Sequence, residues 1–106
     1  MRILFDQSTP VPLRGYLGQH EVATAFERGW AELKNGELLD IAEREGFAVF
    51  VSTDSKLKFQ QNLSRRRIAI VALLTTSWPR IERATAEVVS AITAAKPGSY
   101  TEVDVP

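Results

Sequence analysis

Three features of this sequence predict an α/β fold, a three-layer α/β/α sandwich around a central, mostly parallel five-stranded sheet. Short apolar, β-branched runs alternate with helix-period stretches from one end to the other, as parallel strands and crossover helices do. The run "IAIVALL" is apolar at consecutive positions, the pattern of a strand covered on both faces. A chain of 106 residues, 44% of them hydrophobic, is enough for one core, and no repeat or linker interrupts it, so residues 1–106 read as a single domain.

The elements follow in order. Strands are expected at residues 2–5, 21–24, 48–52, 68–74 and 100–105, with the fourth near the centre of the sheet. After Thr9, Pro12, Gly15 and Gly18 weaken any helix, so that segment reads as one short, irregular turn of helix. In "KNGELLDIAEREG", Asn35 suits an N-cap, Leu38, Leu39, Ile41 and Ala42 form the apolar face, and Gly46 stands where a C′ glycine would. In "SWPRIERATAEVVSAITAAKPG", Ser77 caps, Pro79 suits the first turn, and Ile81, Ala84, Val88, Ile92 and Ala95 recur at helical spacing until Pro97 and Gly98.

Bulk composition narrows the function classes. Thirteen basic and thirteen acidic residues cancel, so nothing draws the whole chain to nucleic acid or to an anionic membrane. There is no cysteine, hence no disulfide framework and no thiolate metal site. The longest apolar run is too short to span a bilayer and the start has no signal-peptide core, which points to a cytoplasmic protein.

Parallel strands end on one edge of the sheet, and ligands of open α/β folds bind outside those ends. That edge would carry Asp6 after the first strand, Thr53 and Asp54 after the third, and Thr75, Thr76 and Ser77 after the fourth. With the strand order 3-2-1-4-5, the ends of the first and third strands are roughly 10 Å apart. Two aspartates and a hydrated cation with metal–oxygen distances of about 2.1 Å span such a gap, and oxygen-only ligands favour Mg²⁺ or Mn²⁺. Asp6 and Asp54 equally suit helix caps that satisfy backbone N–H groups, and an acid at Glu37 is favoured in a first helical turn by the helix dipole alone.

The blocks "RILFDQSTP", "GQHEVATAFERGW", "NGELLDIAEREGFAVFVSTDSKL" and "IAIVALLTTSWPRIE" resemble, in this order, those of the short PIN-like family of bacterial and archaeal proteins, regarded as the toxin half of toxin–antitoxin pairs. The likeness spans roughly residues 1–89. It implies a metal-dependent ribonuclease with an acidic cluster holding Mg²⁺ or Mn²⁺, RNA as substrate and an antitoxin-like protein as partner. Asp6 matches the family's first strand-end aspartate, Asp54 the leading aspartate of its "RD-x-D-F" block, and Glu37 lies in the helix after its "G-x-S-D" block. The chain departs from the pattern at Gln7, at Lys34 and Asn35 in place of Ser-Asp, and at Lys56 and Leu57 in place of the second Asp and its aromatic neighbour. A lysine beside a cation site weakens it, and these departures equally fit a catalytically inactive protein-binding module.

"KLKFQQNLSRRR" gathers Lys56, Lys58, Arg65, Arg66 and Arg67, the place where an RNA backbone would dock, or else a solvated helix end. Phe59 reads as core or as a base-stacking ring, His20 as a surface residue, and Trp30 and Trp78 as packing. The terminal "PGSYTEVDVP" reads as an edge strand open to a partner strand, from an antitoxin tail or from a second copy in a homodimer.

Overall fold

Each apolar run forms a strand, and the strands are β1 (Arg2–Phe5), β2 (Glu21–Thr24), β3 (Val49–Ser52), β4 (Ala69–Leu73) and β5 (Tyr100–Val103). The computed structural model describes residues 1–60 and 63–106, with side chains throughout these except at Phe59, Gln60 and Ser64. All four strand pairings are parallel. The α/β class and the five-stranded sheet agree with the sequence, and the order runs β2-β1-β3-β4-β5. The middle place therefore belongs to β3, and β1 is its direct neighbour, in register from Ile3 with Val49 to Phe5 with Val51. One strand spacing of about 4.8 Å, not two, separates the strands that end beside Asp6 and Asp54.

Alternation along the strands divides the core in two. Ile3, Phe5, Val49, Val51, Val71 and Leu73 face one layer, which holds Leu13 of the 3₁₀ turn Val11–Tyr16, Leu17 directly after it, and Ile81, Val88 and Ile92. Leu4, Phe50 and Ile70 face the other, against Leu38, Leu39 and Ala42 of α1 (Asn35–Arg44) and Leu57 of the short α2 (Leu57–Gln60). The expected last helix is two, α3 (Trp78–Arg83) and α4 (Thr85–Ala94), with Ala84 between them at φ −118°. Ser77 accepts from the Arg80 N–H at 3.4 Å, as a cap should.

Connections β2→β3 and β3→β4 run rightward across the sheet over the α1 layer, and β1→β2 runs leftward over the opposite layer, so these three share one hand. From β4 to β5 the chain again moves rightward, but over the layer of α3 and α4, which gives this crossover the opposite hand. Mixed handedness is rare among parallel connections.

Gly46 ends α1 at φ +81°; its N–H donates to the Glu43 carbonyl at 3.2 Å and the Phe47 N–H to Ala42 at 3.0 Å. This is the Schellman pattern, and an added Cβ would also stand 3.3 Å from an Arg2 nitrogen. Gly46→Ala is expected to lower stability by about 1–2 kcal/mol in urea unfolding, and no loss would show that the α1 terminus relaxes freely.

Candidate functional site at the strand ends

β1 runs outward into β2 on one side while β3 continues into β4 on the other, so the strand order reverses between β1 and β3. Open α/β sheets form their ligand crevice at such a switch point. Asp6 and Asp54 both lie there, one directly after β1 and the other two residues after β3.

Asp6 is 9% exposed, and hydrogen-bond donors of the chain itself surround its carboxylate. Its Oδ1 accepts from the Ser8 N–H at 3.2 Å, the Ser8 hydroxyl at 2.8 Å and the Thr9 N–H at 3.1 Å. The Thr9 hydroxyl stands 2.7 Å from Oδ1 and 2.9 Å from the Val51 carbonyl, and its single hydrogen serves one at a time. Oδ2 accepts from the Ser52 hydroxyl at 2.5 Å. A carboxylate bonded to the N–H groups two and three residues on is an Asx-type turn; it ends β1 just before the 3₁₀ turn Val11–Tyr16, which is the short, irregular helix expected after Thr9 and has Pro10, not Asp6, at its N-cap.

Ser52 ties the two aspartates together. Its oxygen donates to Asp6 and accepts from the Asp54 N–H at 3.0 Å. Asp54 in turn accepts from the Lys56 N–H at 2.9 Å through Oδ1 and from the Asn35 side-chain amide at 3.2 Å through Oδ2. The expected N-cap role of Asn35 is thus not the one observed: Lys34 holds the cap position, and the Asn35 amide reaches across to the β3 end. The signal for this network was a serine, Ser52, at a fully buried strand position among Val49, Phe50 and Val51.

Glu37 does not join the aspartates. Its Oε1 accepts from the Lys34 N–H at 3.2 Å, the return half of a helix-start cap, and its side chain is exposed. Among the described residues, no group of three or more His, Cys, Asp or Glu side chains gathers into a metal site. A divalent cation needs carboxylate lone pairs facing a common centre. Here Asp6 Oδ1 is saturated by the chain's own donors, and Asp6 Oδ2 and both Asp54 oxygens each accept one bond. Three of the four carboxylate oxygens thus keep one acceptor site.

The basic run divides between two edges of the sheet. Lys56 is exposed beside Asp54. Lys58 pairs with Glu102 at 3.0 Å near the Tyr100 ring, and the Tyr100 hydroxyl, partly buried and bonded to Glu102, is pushed up to about 12. Arg65, Arg66 and Arg67 precede β4 and so lie at its amino end, roughly 13 Å of strand from the aspartates. The expectation that all five basic residues flank one site is corrected here; the direction of β4 was itself the signal for it. Arg66 is an internal clamp that donates to Asp40 and, at 2.9 Å, to Glu43. Burial opposes ionisation of Glu43, but Arg66 and the N–H groups of Arg67 and Ile68 outweigh it and hold its pKa below the ordinary carboxylate value.

The other singled-out residues have structural places. The Phe59 side chain lies outside the described residues. Trp30 packs edge-on against Phe47, and Trp78 lies 6.1 Å from Tyr16. His20 Nδ1 is 3.4 Å from the terminal amine. No helix among the described residues is long and apolar enough to cross a membrane. No family model matches the chain, and no curated protein or solved structure matches it either.

Proposed function

We propose that this chain is a PIN-like domain acting as a non-enzymatic protein-binding module, the toxin-like half of a two-protein pair in the cytoplasm whose partner is an antitoxin-like protein. The observation that carries this reading is the satisfaction of Asp6 and Asp54 by Ser8, Thr9, Ser52, Asn35 and backbone N–H groups. Groups engaged in fixing turns are poor ligands for a hydrolytic cation, and Lys56 adds a positive charge nearby.

A second reading, a ribonuclease using one Mg²⁺ or Mn²⁺ on Asp6 and Asp54 with Glu37, is favoured by one observation: both aspartates lie at the switch point. An NMR titration of the native chain and Asp6→Asn with Mn²⁺ separates the two. The binding-module reading expects no localised paramagnetic broadening at millimolar metal. Broadening centred on Asp6 and Asp54 and lost in Asp6→Asn would overturn it and make RNA cleavage the next assay.

A further inference from the structure

Of the three arginines at the amino end of β4, on the edge opposite the two aspartates, the fold itself uses only the Arg66 side chain. The end of α1 brings Arg44 to the same edge, and the end of α4 brings Lys96. Five cations, Arg44, Arg65, Arg66, Arg67 and Lys96, thus meet two carboxylates, Asp40 and Glu43, in a chain whose charges cancel overall. Farther along this edge Glu45 is taken by Arg28 and Glu21 by Arg2. Arg66 holds both Asp40 and Glu43, and Glu43 Oε2 also accepts from the Arg67 N–H at 2.7 Å. The guanidinium groups of Arg44 and Arg67 have no acid partner among the described residues.

Those two arginines line one cavity of about 910 Å³, within the size range of small-molecule sites. Its walls are fixed by the backbone. Arg67 is held through its N–H by Glu43 and through its carbonyl by the Gly98 N–H at 2.8 Å, and the Ala48 N–H donates to the Arg2 carbonyl at 2.8 Å. Phe47 and Ile68, both buried, close the floor, while the exposed Ala48 and Pro97 leave apolar surface at the rim.

Charge and shape together select the occupant. Each guanidinium offers a planar fork of N–H donors; a carboxylate is filled by one fork, whereas the three terminal oxygens of a phosphate monoester accept from two. A bare phosphate would leave most of the cavity empty, and the apolar surface beside the arginines suits a flat ring. The Asp40 side chain, 62% exposed, lines the same cavity, so a strand of RNA or an acidic segment running past it meets a like charge. One compact charge on a small body avoids that repulsion.

We propose that this cavity is a binding site for a small organic phosphate, its phosphate group held between Arg44 and Arg67 and its ring against Ala48 and Pro97. The site needs neither a metal nor a partner at the strand ends, so it stands whichever reading of Asp6 and Asp54 holds.

The test is an amide-shift titration of the full chain with phenyl phosphate, beside inorganic phosphate, benzyl alcohol and a capped penta-glutamate peptide, all at constant ionic strength. Phenyl phosphate is expected to move amides around Arg44, Gly46, Arg67 and Ile68, and to bind at least tenfold more tightly than any of the other three. Arg44→Gln and Arg67→Gln are each expected to weaken it about tenfold, the loss of one charge-assisted fork, with unchanged urea midpoints because neither side chain pairs with an acid in the fold. Arg80→Gln, which removes an exposed cation of α3, is expected to leave binding unchanged. The proposal is overturned if these amides stay still up to tens of millimolar phenyl phosphate, if inorganic phosphate or benzyl alcohol binds as well, or if the Arg44 and Arg67 variants bind like the native chain. An equal loss in Arg80→Gln would overturn it as a general effect of charge. Tighter binding of penta-glutamate would overturn it in favour of an acidic protein segment.

Discussion

Asp6→Ala is expected to lower the stability of the fold by about 3 kcal/mol, read as a fall in the urea midpoint with an unchanged slope. Asp6 is the hub on which the hydroxyls of Ser8, Thr9 and Ser52 and two backbone N–H groups converge, and it is nearly closed off from water. Alanine leaves those donors without their acceptor, and each buried unsatisfied group costs about 1–3 kcal/mol. Rotation of Ser52 and Ser8 recovers part of this, while the Thr9 hydroxyl falls back on the Val51 carbonyl. The measurement also bears on function. An acid kept for a ligand is usually held at some cost to stability, so Asp6→Ala with equal or greater stability would mean that Asp6 is poised for chemistry.

Phe50→Ala is the other large effect, expected at about 4 kcal/mol. Phe50 lies on the central strand with no exposed surface, in the buried cluster that also holds Leu4, Leu39, Ala42, Leu57 and Ile70. A cavity there loosens the seat of α1, and α1 delivers Asn35 to Asp54. Amide exchange at Asn35 and Asp54 should therefore accelerate along with the loss of stability. Destabilisation without faster exchange at those two residues would show that the strand-end network holds α1 independently of the core.

Local chemistry made most of the fold legible. Gly46 and Pro79 stand where their backbone preferences place them, and the five apolar runs become strands, the first two at the expected bounds and the other three with ends displaced by one or two residues. The break at Ala84 escaped because Ile81, Ala84, Val88 and Ile92 are all buried on one side of the sheet, so the helical period continues through it. Strand adjacency is set by which crossover layer each helix joins, and nothing in β1 or β3 alone states that they pair. At the site, Asp6 and Asp54 were found from position. What they do depends on Ser52 and Asn35, and the Asn35 contact spans nineteen positions of sequence.

The all-parallel sheet has a consequence for how the chain reaches this state. Arg2 waits for Glu21, Ile3 for Val49, Val49 for Ala69 and Ile70 for Tyr100, so no strand pairs with one only a turn away. Each pairing requires a long loop to close before contacts reward it, which places such topologies toward the slow end of single-domain folding, in milliseconds to seconds. During synthesis the amino-terminal strand emerges first, yet its central partner β3 lies more than forty residues behind it. Until β3 appears, the apolar edge of β1 stays open, and this is the interval in which the nascent chain most needs shielding from others like it.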